Sequence, residues 1–157
     1  MIGAHTDSPC LKLKPKSCRS KSDYLVVNVE PYGGGLWHTW FDRDLSVAGR
    51  VLVRGADGLL SHRLVRIEKP ILRIPMLAIH LSRDLRTEGF KPNAQEHLAP
   101  VLATSVKTEL CRKGNGQVPD NGKPSENGCR HHSMLLNLIA AELGCTTSRL
   151  CSLKFLV

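Results

Sequence analysis

Three groups of residues in this chain have types and spacing that could do chemistry. The first is His5-Thr6-Asp7, inside the small-residue run Gly3-Ala4-His5-Thr6-Asp7-Ser8-Pro9. On an extended strand, side chains two apart share a face. His5 and Asp7 would then project together, and Pro9 would end the strand soon after. An imidazole holds a divalent ion through one ring nitrogen, and a nearby carboxylate fixes its tautomer and direction. His5 is thus a candidate metal ligand and Asp7 the carboxylate that orients it. Taken alone, a His-x-Asp is more often a solvated surface pair.

The second group is Asp42-Arg43-Asp44. Two carboxylates in one short run can share acid–base work, but an arginine between them more commonly forms local ion pairs. The third is His80, the one polar residue of the apolar run Met76 to Leu81. A histidine so placed is usually a satisfied core or edge group. Cys129-Arg130-His131-His132 has donor types for a structural zinc, but no second pair stands at finger spacing. The six cysteines, Cys10, Cys18, Cys111, Cys129, Cys145 and Cys151, lack Cys-x-x-Cys pairing and read as buried free thiols. Gly33-Gly34-Gly35 lacks the Lys-Ser/Thr of a phosphate-cradling loop. It reads as a tight turn or a close backbone approach.

The elements that must position these groups are mostly strands. Met1-Ile2-Gly3-Ala4 reads as the middle of a buried strand with no polar lead-in or cap, which suggests a truncated start. Leu11 and Leu13 alternate with Lys12 and Lys14, giving a strand with one wet face to about Pro15. Lys16 to Ser22 reads as a polar connection, and Tyr24 to Val29 as a strand ended by Pro31. Trp37, Trp40 and Phe41 hold three of the seven aromatics and seat their segment on a core or a partner surface. Val47 to Arg54 and Leu59 to Ile67 form a hairpin with Asp57-Gly58 in its turn. Arg50, Arg54, Arg63 and Arg66 point outward from it. Pro70 and Pro75 bracket a short edge strand, Ile71 to Ile74. Arg83 to Gln95 reads as a loop, and Leu98 to Val106 as a strand with a short helix after it. Residues 113–128 are rich in Gly, Pro and Asn and read as a flexible loop. His131 to Leu143 is the clearest helix, with Leu135, Leu138, Ile139 and Leu143 as its apolar stripe and Gly144 as its stop. Leu150 to Val157 is a final strand. The fold class is mainly β, a roll or barrel, with one firm C-terminal helix.

Composition sets the outer limits. A chain of 157 residues is one domain, or one plus a remnant. Hydrophobic residues make up 41% and aromatics 4%, so the core is mostly aliphatic. The formal charge is +8, with Lys12, Lys14, Lys16, Arg19 and Lys21 crowded together. That balance permits nucleic-acid binding, but no aromatic ladder interleaves with the basic residues, as single-strand binders need. No apolar stretch is long enough to span a membrane, and no signal pattern opens the chain. The chain reads as cytoplasmic, with reduced thiols and no membrane contact.

Several of these segments together resemble the aspartyl aminopeptidase family of dinuclear zinc peptidases. They are Gly3 to Pro9, Tyr32 to Trp37, the Trp40-Phe41-Asp42-Arg43-Asp44-Leu45 run, Ala48 to Val51, Arg73 to Pro75 with Leu77-Ala78-Ile79-His80-Leu81, and His131-His132-Ser133. They occur in the family's order and span nearly the whole chain. The resemblance implies an α/β catalytic domain that holds two zinc ions, with a β-rich dimerisation domain inserted into it. On that match residues 1–10 are a remnant strand of the catalytic domain, 11–149 the dimerisation domain, and 150–157 the start of the return to the catalytic domain. His5 corresponds to a zinc ligand and Asp7 to its orienting carboxylate. His80 corresponds to a residue that reaches the active site of a neighbouring subunit and contacts substrate near the scissile bond. The implied activity is removal of N-terminal Asp or Glu from peptides by a homo-oligomer whose metal pair polarises the carbonyl and activates water. The family's other zinc ligands and its general-base Glu lie beyond the segment matching Leu150 to Val157. The resemblance therefore implies a truncated, inactive form. A non-catalytic oligomerisation module and a nucleic-acid-binding barrel are the competing readings.

Overall fold

The structure, a computed structural model, describes residues 1–104 and 130–157. Among the described residues the six strands are β1 (Cys10–Lys21), β2 (Tyr24–Tyr32), β3 (Asp44–Arg54), β4 (Leu60–Arg73), β5 (Val101–Thr104) and β6 (Leu150–Leu156). They form a closed antiparallel barrel in the order β1-β2-β5-β4-β3-β6. Among the described residues there are two α-helices, α1 (Leu85–Glu88) and α2 (Ser133–Leu143). The mainly β expectation and the firm C-terminal helix agree with this architecture. The expected loop at residues 113–128, with Cys111 and Cys129, lies outside the described residues. Among the described residues no helix is long and apolar enough to cross a membrane.

Local chemistry explains the turns. Ser22 and Asp23 join β1 to β2 with φ of 48° and 62°, the left-handed pair that a two-residue hairpin requires. In the β3–β4 hairpin, Gly55 donates its N–H to the Leu59 carbonyl at 2.8 Å, and Asp57 Oδ1 accepts the Leu59 N–H at 3.1 Å. Gly58 there takes φ +81°, a value that costs glycine little. Helix α2 stops at Gly144, left-handed with φ 62°.

Several expectations about strands need correction. Residues 1–9 have no regular secondary structure, because no neighbouring strand pairs with them. Lys16 to Lys21 is the second half of β1 and not a connection. A bulge between Leu13 and Cys18 breaks the pairing with β2 there, which hides the strand's alternation. Ile71 to Arg73 is no separate edge strand but the end of β4. Met76 to Leu81 holds a 3-10 turn at Ile79–Leu81 in place of extended chain. Leu150–Leu156 is a strand, as expected, and its partners are β3 and β1. In this structure it closes the barrel.

The core is aliphatic. Leu11, Val27, Val47, Val51, Leu98, Leu135, Ile139 and Phe155 are 0–1% exposed, and each such side chain contributes roughly 1.5–3 kcal/mol of burial. Trp37, Trp40 and Phe41 pack against this core while half-buried. Only part of the predicted helix stripe is buried: Leu135, Ile139 and Ala140 are inside, whereas Leu138 is exposed.

Candidate functional site

The N-terminal candidates meet, though not on a strand. His5 Nε2 lies 3.6 Å from Asp7 Oδ1, and both side chains are mostly exposed. The other carboxylate oxygen, Asp7 Oδ2, accepts a hydrogen bond from the Tyr32 hydroxyl at 2.7 Å. That bond raises the Tyr32 phenol above its ordinary pKa, because the phenolate would lose the donor that Asp7 holds. Lys12 Nζ sits 4.1 Å from the Tyr32 ring centroid, a cation over a π face. Pro9 packs against Gly33, where an added Cβ would sit 3.6 Å from it. That is ordinary packing distance; what asks for glycine at position 33 is its φ of +75°, the turn half of the expectation. Tyr32 was not among the sequence candidates. The signal was its register, opposite Cys10, which only the β1–β2 pairing reveals.

The histidines that open α2 face inward. His131 Nδ1 is 2.8 Å from Ser17 Oγ. Burial holds the His131 imidazole below its ordinary pKa, with Arg130 and His132 adding in the same direction. His132 Nε2 lies 2.9 Å from the Val26 carbonyl and 3.1 Å from the Arg19 carbonyl. Two carbonyl oxygens at this range require an N–H, so Nε2 carries the proton. The Arg19 backbone N–H, 3.3 Å away, then faces a second donor and makes no bond to it. Nδ1 is left to accept from the Cys18 thiol at 3.5 Å. The Arg130 carbonyl accepts the Ser17 and Cys18 N–H groups at 2.8 and 3.1 Å. The bulge in β1 therefore receives the start of α2, and both histidines bond to the strands beneath them; Cys129, the thiol of the zinc reading, lies outside the described residues.

Asp42 and Asp44 lie close, but the guanidinium between them is not that of Arg43. Arg73 contacts Asp42 Oδ1 at 3.8 Å and Asp44 Oδ1 at 3.3 Å. Asp44 and Arg73 are cross-strand partners of β3 and β4. An exposed ion-paired cluster does not suit the acid–base pair that the sequence allowed. His80 is exposed, within the 3-10 turn. The expectation that it points out of the core holds, although the strand alternation offered as the reason does not. Leu77, Ile79 and Leu81 beside it are also exposed. An open cleft of about 1360 Å³ runs nearby, with Phe41, Leu72, Arg73, Glu96, Met134 and Leu138 among its walls.

A profile of the family described as Aminopeptidase I zinc metalloprotease (M18) matches residues 1–157. The chain belongs to the M18 aminopeptidase family. A probable aspartyl aminopeptidase of Ricinus communis is 55% identical over 168 residues, covering 98% of this chain and 34% of the relative. A cryo-EM structure of the Ape4 and Nbr1 complex superposes with a TM-score of 0.81 at 41% identity, covering 97% of this chain and 28% of that one. An S. cerevisiae mApe1 dodecamer gives a TM-score of 0.66 at 26% identity, covering 97% and 29%. This M18 chain spans about a third of the length of the curated relatives it matches.

M18 enzymes are zinc metalloproteases. A catalytic zinc takes roughly three protein ligands, and the described residues hold no group of three His, Cys, Asp or Glu that could bind an ion. His5 with Asp7 fits one ligand and its orienting carboxylate. It does not fit a whole site.

Proposed function

We propose that these 157 residues act within an aspartyl aminopeptidase, a cytoplasmic homo-oligomer that removes N-terminal Asp or Glu from peptides. Their share is assembly and substrate contact rather than the metal chemistry itself. The observation that carries this reading is a closed barrel with a full core, beside which the described residues hold no three-ligand metal group and bring together only His5 and Asp7, at 3.6 Å. His5 is the zinc-facing ligand, Asp7 sets its ring, and residues 11–149 make the subunit contacts. Residues 1–10 and 150–157 are the points of connection to a catalytic domain. His80 reaches a neighbouring subunit's site, where it hydrogen-bonds the developing oxyanion or the substrate's polar end. Its exposure, and that of Leu77, Ile79 and Leu81 around it, supports a role at a contact between copies.

The test uses the purified chain. Incubated with zinc and a peptide bearing N-terminal Asp, it is expected to release no free Asp. In sedimentation at tens of micromolar, roughly the range for a standard interface, it is expected to run as a dimer or larger. Metal-dependent release of Asp would overturn the division of labour, and a clean monomer would overturn the assembly role.

A further inference from the structure

The chain between β4 and residue 90 leaves the barrel as a loop, and both its ends are held by two consecutive residues, Phe41 and Asp42. At the departing end, the Asp42 N–H donates to the Ile74 carbonyl at 2.9 Å. Ile74 is 1% exposed, so this end is rooted in the core. Pro75 follows and has no N–H to offer. The first donor of the loop proper is the Met76 N–H, and Asp42 Oδ1 accepts it at 3.1 Å. At the returning end, the Phe90 ring stands edge-on to Phe41, with centroids 4.9 Å apart and an interplanar angle of 87°. Aromatic pairs favour this geometry.

Asp42 holds its place in an uncommon conformation. Its φ is +52°, a left-handed value that asparagine and aspartate tolerate better than other non-glycine residues. Arg73 braces the carboxylate from the end of β4 and fixes Asp44 at the same time. A residue kept at positive φ, with both its backbone N–H and its carboxylate turned to one neighbouring segment, is over-determined by its surroundings. Such positions concentrate where geometry matters to function. Between the two fixed ends lies the 3-10 turn that carries His80. Within it the Leu81 N–H donates to the Ala78 carbonyl at 2.9 Å and the Ser82 N–H to the Ile79 carbonyl at 3.2 Å.

We infer that Phe41 and Asp42 form a clamp that sets the position of the His80-bearing loop, with Asp42 as a positioning residue for His80. Its bearing on catalysis rests on the trans-contact role of His80 proposed above; the clamp itself does not. A local hinge is expected at Met76, since its donor is the first one beyond the proline.

The experiment follows backbone amide hydrogen exchange by NMR in the 157-residue chain, in wild type, Asp42→Ala, Asp42→Asn and His80→Ala. Asp42→Ala removes an ionised acceptor and is expected to speed Met76 exchange about tenfold. It should also lower the heteronuclear NOE of the His80 amide, while Val47 and Val51 keep their protection. Asp42→Asn retains an acceptor oxygen and the left-handed tolerance, so Met76 should stay within about twofold of wild type. His80→Ala should leave Met76 as it was. Unchanged Met76 exchange in Asp42→Ala, or equal loss in the alanine and asparagine variants, overturns the clamp. Loss of protection at Val47 and Val51 also overturns it, because Asp42 would then be holding the barrel and not the loop. A full-length relative whose turnover ignores loss of the histidine matching His80 would sink the trans-contact role and leave the clamp standing.

Discussion

Replacing Gly49 with alanine should open the seam between β3 and β6. Gly49 pairs with Phe155 across that seam. A Cβ at position 49 would overlap the Lys154 carbonyl oxygen and lie 2.7 Å from Phe155 Cα and 2.9 Å from Phe155 Cδ1. Carbon atoms pack at roughly 3.5–4.0 Å, so β6 must retreat by about 1 Å. Two of the three obstructing atoms are backbone and cannot rotate aside. Phe155 is 1% exposed and heads the largest fully buried side chains, so its packing is disturbed as well. Overpacking of this kind costs roughly 1–3 kcal/mol, and the backbone obstruction places Gly49→Ala near the top, at about 3 kcal/mol. For a chain of this size that is a fall in Tm of about 6–12 °C. Gly34 supplies the control: an added Cβ there meets nothing within 4 Å and its φ is ordinary. Thermal melts followed by far-UV circular dichroism should show Gly34→Ala close to wild type and Gly49→Ala well below it. A Gly49→Ala melt within about 2 °C of wild type would refute the seam argument.

Two further outcomes concern the start of α2. His132→Ala leaves the Val26 and Arg19 carbonyls without their shared donor inside the protein and should cost about 2–3 kcal/mol, seen as a lower urea midpoint, with His132→Gln recovering part of it. On acidification, the unfolded chain binds the His131 proton near the ordinary value of 6.5 while burial keeps the folded imidazole neutral to lower pH. Stability is therefore full above about 6.5 and falls as pH drops through it, levelling off once the folded form also protonates. Melts followed from about pH 8 to about pH 5 should show this decline, and His131→Asn should flatten it.

The parts legible in the sequence were those whose signal is local. Asp57-Gly58 between apolar runs marks the β3–β4 hairpin, and Leu135 and Ile139 with Gly144 mark α2. His5, Asp7 and His80 were legible as residue types, and the exposure of His80 was foreseen. Their backbone was not, because an alternating pattern makes a strand only where another strand lies alongside. Neither Gly3 to Pro9 nor Met76 to Leu81 has such a neighbour. The second half of β1 was hidden for the opposite reason: its bulge aims Ser17 and Cys18 at residues 130–132, more than a hundred positions away. Arg43 beside Asp42 and Asp44 was the obvious ion-pair partner by proximity in the chain. Arg73 holds the carboxylates because the β3–β4 register puts it opposite Asp44, and register is not written in any short stretch.

The position of β6 in the chain has a consequence for how the protein is made. Its main partner, β3, is complete at Arg54, while β6 begins at Leu150. A ribosome adding ~5–20 residues per second needs on the order of 5–20 s to cross that gap. Throughout it the hairpin of β3 and β4 can form, but the other edge of β3 stays open to any passing strand. Closing the barrel is a non-local pairing, slow for the same reason. Arg50 and Arg54 lie exposed along that strand, and charge on an open edge discourages the wrong partner. Until β6 arrives, the basic residues of β3 stand along an edge that the finished barrel no longer displays.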